Sequence, residues 1–159
     1  MILPFSKKFK NGNETYFLEK IWTNQYLWTE DEAIEFATNK THILEFDDWV
    51  IETCNPKIHT IRMDLKNRWK QGSKIHPVFE NRTKNQHQFA PTFVCKGIQS
   101  IEITWLRGNI YISIDDKLFD YNQKVQLSQN DGFESLSDFE KWFNTPFKGK
   151  IIHFTDFKY

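Results

Sequence analysis

A chain of 159 residues, with 39% apolar and 26% charged side chains, has the size and composition of one globular domain rather than a disordered tail. Six Trp and fifteen Phe supply much of the core surface. The formal charge of zero hides an uneven distribution: residues 57–84 hold eight cations (Lys57, Arg62, Lys66, Arg68, Lys70, Lys74, Arg82, Lys84) against Asp64 and Glu80, and acids elsewhere balance them.

No run approaches the roughly 18 apolar residues of a membrane helix. The opening Met1-Ile-Leu-Pro-Phe places a short apolar stretch before its charges, the wrong order for a signal peptide, so a cytoplasmic chain with no membrane association is expected. Cys54 and Cys95 lie far apart with no CxxC or Cys/His spacing, which points to neither a disulfide framework nor a metal site, and no cofactor motif is present.

In chain order, Asn13 is placed to cap a first helix whose stripe is Phe17, Leu18, Ile21 and Trp22. Thr29 with Glu32 forms a capping box for a second helix, ending near Asn39 and expected to pack through Ile34 and Phe36. Residues 43–51 carry no readable period. From Lys57 the β-branched alternation of Ile58, Thr60 and Arg62 predicts a strand, and residues 67–72 read as a loop closed by Gly72. Residues 74–79 predict another strand, which Pro77 should confine to an edge. Residues 93–94 and 98–105 are strand-like. Arg107-Gly108-Asn109 turns the second of these into residues 110–114, giving an antiparallel hairpin, and Asp115-Asp116 turns the chain again towards Leu118-Phe119. Ser137 with Glu140 predicts the start of a helix striped by Leu136, Phe139, Trp142 and Phe143 that stops before Pro146, and residues 150–154 supply a last strand. The fold class is α+β, mainly β: a small, partly closed barrel with flanking helices.

Two segments carry the strongest signal: Lys57-Ile58-His59-Thr60-Ile61-Arg62, and Asp131-Gly132-Phe133-Glu134-Ser135 leading into the last helix. Together they resemble the signature of the ASCH domain superfamily, a branch of the PUA-like β-barrels, in a phage or bacterial form: a Lys-x-x-Thr-x-Arg strand after a first helix, then an acidic residue and Gly-Phe before a late helix. On that resemblance residues 1–159 are a single ASCH/PUA-like domain with residues 25–56 as an insertion.

The resemblance implies a cleft beside the motif strand and RNA or a nucleoside-like small molecule as partner. It also implies an alternative, an amidohydrolase acting on an acylated nucleoside such as acetylcytidine, with Lys57, Thr60 and Asp131 as its catalytic set. Two departures stand out: Asp131 is one methylene shorter than the family's Glu, and Ile58 stands where Thr is common. The ligand-binding residues then expected are Arg62, Arg68, Trp69, Lys74, Arg82 and Lys84, as a basic surface interleaved with aromatic rings.

The chemistry needs an activated hydroxyl. A Lys amine takes a Thr proton only if burial or a second cation, here Arg62, lowers its pKa. In a flat strand Lys57 points away from Thr60, so a turn after Pro56 or a bulge must re-aim it. The same residues also have plain structural readings. Thr60 is an ordinary strand residue, Arg62 can pair with a core-edge carboxylate, and Asp131-Gly132 is a turn dipeptide. A structural or protein-interaction domain is the third open function.

Overall fold

The computed structural model describes residues 1–24, 27–39 and 53–159. Among these residues the fold is mixed α+β, mainly β, with two sheets, four helices and no closed barrel.

Five strands form the larger sheet, in the order β2 (His59–Arg62), β9 (Phe147–His153), β6 (Gly97–Leu106), β7 (Asn109–Ile114) and β8 (Lys117–Leu118), every pair antiparallel. The β6–β7 hairpin follows from its alternation. Ile101, Ile103, Ile110, Ile112 and Ile114 are all buried, and Arg107 and Gly108 both take positive φ, as a two-residue turn matched to strand twist requires. Asp115 and Asp116 repeat the device into β8.

The smaller sheet centres on β3 (Lys74–Phe79), with β1 (Ile2–Pro4) parallel on one side and β4 (His87–Gln88) and β5 (Phe93–Val94) antiparallel on the other. Pro77 is therefore in an interior strand, not at an edge. It is tolerated because it falls between the Ile75↔Phe93 and Val78↔Gln88 pairs, where its carbonyl accepts from Phe89 N and no donor is needed.

Helix α1 (Phe17–Trp22) is not capped by Asn13. Tyr16 holds the cap position at φ 52° without a side-chain bond, and Asn13 instead closes a turn by accepting from Phe9 N. The expected box opens α2 (Glu30–Asn39): Thr29 N donates to Glu32 Oε2 at 2.8 Å and Glu32 N to Thr29 Oγ1 at 3.3 Å. Ile34 is 56% exposed rather than packed, while Phe36 leans on Trp22. Residues 43–51 and much of the expected insertion lie outside the described residues.

Helix α3 (Tyr121–Asn130) was not expected from the apolar pattern, which is thin. Its signal is a capping box, Asp120 with Gln123. Helix α4 (Leu136–Trp142) is capped two residues earlier than expected: Ser135, not Ser137, accepts from Asp138 N.

Strand β9 divides the core, because successive side chains on a strand face opposite ways. Ile151 joins Ile61, Ile103, Ile112, Leu127, Phe133 and Phe139 between the larger sheet and α3 and α4. Ile152 joins Phe5, Phe17, Ile21, Ile75, Phe89 and Phe154 between that sheet's other face, α1 and the smaller sheet.

Candidate functional site

On β2 the buried residues alternate between these two layers. His59 and Ile61 face α3 and α4, whereas Thr60, opposite Ile152, faces the other layer with Arg62. Lys57 lies before the strand, its backbone tied to two helices and its side chain on the face of His59 rather than of Thr60: Lys57 N donates to Lys20 O in α1 and Ile58 N to Asn130 O in α3. Its amine consequently meets Asp131, at the C-cap of α3, and makes no hydrogen bond to Thr60.

The pair is sealed. Lys57 is 1% exposed and Asp131 3%; Nζ donates to Asp131 Oδ1 at 2.5 Å and to the Asp131 main-chain oxygen, and lies 4.5 Å from the centre of the Phe17 ring. Burial lowers the Lys57 amine to about 8; Asp131 opposes that shift and Arg62 adds to it. Burial pushes the Asp131 carboxyl up, but Lys57 and then His59 outweigh it and leave the carboxyl below its usual range.

Two histidines that sequence reasoning passed over complete the cluster. His59 and His153 are direct partners across β2 and β9, neither with exposed surface, their ring centres 5.6 Å apart. His59 Nδ1 is 3.6 Å from Asp131 Oδ1, beyond hydrogen-bond reach, and its Nε2 meets the Tyr159 hydroxyl at 2.8 Å. Burial lowers both imidazoles, His153 to about 3. The available signal was register: His59 sits on the core face of its strand, a place where a histidine must find partners or stay neutral.

The remaining expected residues do not gather here. Arg62 is half-buried and tied to β1 through a 2.6 Å bond to Pro4 O, with its guanidinium over Phe5. Trp69 is a core residue at 8% exposure, so it offers no open face for stacking. Arg68, Lys74, Arg82 and Lys84 are exposed, but Lys74 opens β3 whereas Arg82 and Lys84 follow its end, a separation of roughly 17–20 Å for a six-residue strand.

The large open cavity lies on the other side of the Asp131-Gly132 turn. Its volume is about 760 Å³, with Phe9, Tyr16 and Trp142 among its walls and Lys10, Glu14, Glu134, Asp138 and Lys141 among its polar groups. Phe9 meets Trp142 edge-on at 5.8 Å and stacks on Phe133, so its ring is fixed. Glu134 pairs with Lys20, whose amine also donates to Gly132 O. A recess of about 40 Å³ adjoins, lined by Lys20, Asn55, Gln129, Gly132, Phe133 and Glu134. Gly132 separates the sealed pair from this surface. At φ +88° a Cβ there would be strained and would stand 3.1 Å from the Phe17 ring and 3.3 Å from Lys57 Cδ. Lys57, Thr60, Arg62 and Asp131 line neither the cavity nor the recess.

Among the described residues no three His, Cys, Asp or Glu side chains are grouped to hold a metal ion, and no helix is long and apolar enough to cross a membrane. Comparison with protein-family models, curated proteins and solved structures finds no match for this chain.

Proposed function

We propose that the chain is an ASCH-like, PUA-like module that binds a nucleoside or the base of a single-stranded RNA. The cavity beside the Gly132 turn carries this reading. At about 760 Å³ it falls within the range of small-molecule sites, and its fixed aromatic edges with charged groups of both signs suit a planar base carrying a polar sugar. The Lys57–Asp131 pair then serves as buried support for the turn that lines the adjoining recess and leads to Glu134 on the cavity wall. Arg68, Lys74, Arg82 and Lys84 supply solvent-exposed charge for phosphates, so affinity for RNA should fall as salt rises.

Calorimetric titration with cytidine, uridine, adenosine, guanosine and a short single-stranded RNA tests the reading. Saturable binding of at least one, weakened tenfold or more by Trp142→Ala, is expected, since loss of a base–aromatic contact costs about 1–3 kcal/mol. Absence of binding by all five, or indifference to Trp142→Ala, would overturn it.

An amidohydrolase acting on acetylcytidine is the second reading. One observation favours it: burial brings the Lys57 amine to about 8, in the range useful for a general base. Two weigh against it, the engagement of that amine by Asp131 and the position of Thr60 on the opposite face. Turnover of acetylcytidine that is lost in Thr60→Ala would reverse the ranking.

A further inference from the structure

The Tyr159 ring is enclosed more like a bound molecule than like an ordinary anchor. Phe119 stands 5.4 Å from it edge-on, Phe157 5.0 Å and the His153 ring 6.2 Å. Its hydroxyl is held twice, accepting from Asn130 Nδ2 at 2.9 Å and meeting His59 Nε2 at 2.8 Å. The Gln99 side chain holds its main chain from both ends, accepting from Tyr159 N at 3.0 Å and donating to Tyr159 O at 3.1 Å.

The polar capacity of this slot exceeds what a phenol uses. Both nitrogens of His153, and Nδ1 of His59, are buried without a hydrogen-bond partner. Buried polar atoms are nearly always satisfied, because leaving one bare costs about 1–3 kcal/mol. His59 Nδ1 is turned to Asp131, 3.6 Å from its Oδ1, but the two bare nitrogens of His153, whose ring centre stands 6.2 Å from that of Tyr159, mark a place where a group with several donors and acceptors on its edge would be held better than a residue carrying a single hydroxyl. The outer wall, Phe157, is 37% exposed, so the slot lies one side chain from solvent. None of these residues lines the open cavity.

We propose that the slot between β2, β9 and α3 is a binding site for a planar heteroaromatic ring, a nucleobase or a close analogue, and that Tyr159 fills it as a self-ligand which an entering ring displaces. His59 and Asn130, which now hold the phenol, bond the edge of the incoming ring. His153 gains the partner it lacks, and Phe119 packs on the ring. The site stands apart from the nucleoside reading of the open cavity, so each can fail alone.

The test uses the full chain, cytosine and p-cresol as probes, and the ring-proton resonances of His59 and His153 as reporters. In Tyr159→Ala, cytosine should bind at least tenfold tighter than in the unaltered chain, shift both histidine resonances, and be indifferent to Trp142→Ala. Binding of p-cresol without cytosine would make the slot a plain tyrosine socket and overturn the proposal, as would binding of neither. Should Tyr159→Ala fail to fold, Tyr159→Phe retains the packing and removes only the hydroxyl latch. Cytosine affinity should then rise at least fivefold, the worth of one of the two hydrogen bonds that the hydroxyl makes, and an unchanged affinity would overturn the proposal. A cytosine effect confined to Trp142 would leave the open-cavity reading standing and remove this one.

Discussion

Two lysine–carboxylate pairs flank Gly132, and water reaches only one of them. Lys57 and Asp131 have side chains 1% and 5% exposed, whereas Lys20 at 5% reaches out to Glu134 at 72%. Their chemistry is alike, but solvent gives them different work. In the sealed pair each charge depends on the other, since neither has water to turn to, and the pair locks α3 to the backbone before β2. In the surface pair Glu134 remains hydrated and free to change partners, which suits the rim of a ligand cavity. The burial that qualifies Lys57 as a base on pKa grounds also denies it a substrate.

Breaking the sealed pair should produce the largest effect. Lys57→Met leaves a buried carboxylate uncompensated and should cost about 3–5 kcal/mol of unfolding free energy by denaturant titration. Adding Asp131→Leu should recover most of that loss. A double variant no more stable than the single one would mean that the pair specifies the turn through geometry rather than through charge.

The next effect tests how dry the sealed side is. Burial lowers His153 from 6.5 to about 3, and His59 shifts the same way, so between those pH values the unfolded chain binds protons that the folded chain does not. Stability must therefore fall as pH drops below about 6.5. One histidine contributes a slope of up to about 1.4 kcal/mol per pH unit. His153→Leu should flatten the decline between pH 6.5 and 5 by that share, whereas parallel declines would show that water or another partner already reaches the imidazole.

The surface pair should matter least to the fold. Glu134→Gln should cost no more than about 1.5 kcal/mol, because Gly132 O and the new amide oxygen can still accept from the buried Lys20 amine while the exposed end of residue 134 stays hydrated. A larger loss would erase the contrast between the two sides of Gly132.

Much of the frame was legible where one rule dominates. The β6–β7 hairpin declares itself by strict alternation around a two-residue turn, and α2 by a complete capping box. Reading failed where tertiary contacts decide. The parallel pairing of β1 with β3 draws on strands far apart in sequence, so Pro77 could be placed in the sheet only once its neighbours were known. Helix α3 has a cap but almost no apolar stripe, since Leu127 is its one fully buried apolar residue. At the site, strand parity already set Lys57 on the face of His59 and away from Thr60, and its amine meets Asp131 there without the re-aiming that a Lys57–Thr60 pair would have needed. The depth of burial could not be read, because it depends on α1, α3 and Tyr159 closing over the cluster.

The central claim, that a nucleoside binds on the open side of Gly132, is tested most directly by mapping amide chemical shifts while cytidine and adenosine are added to the isotope-labelled chain. The account predicts saturable shifts centred on Phe9, Tyr16, Glu134 and Trp142, with the amides of Thr60 and Ile61 still. Shifts centred on β2 instead, or none at millimolar nucleoside, would contradict it.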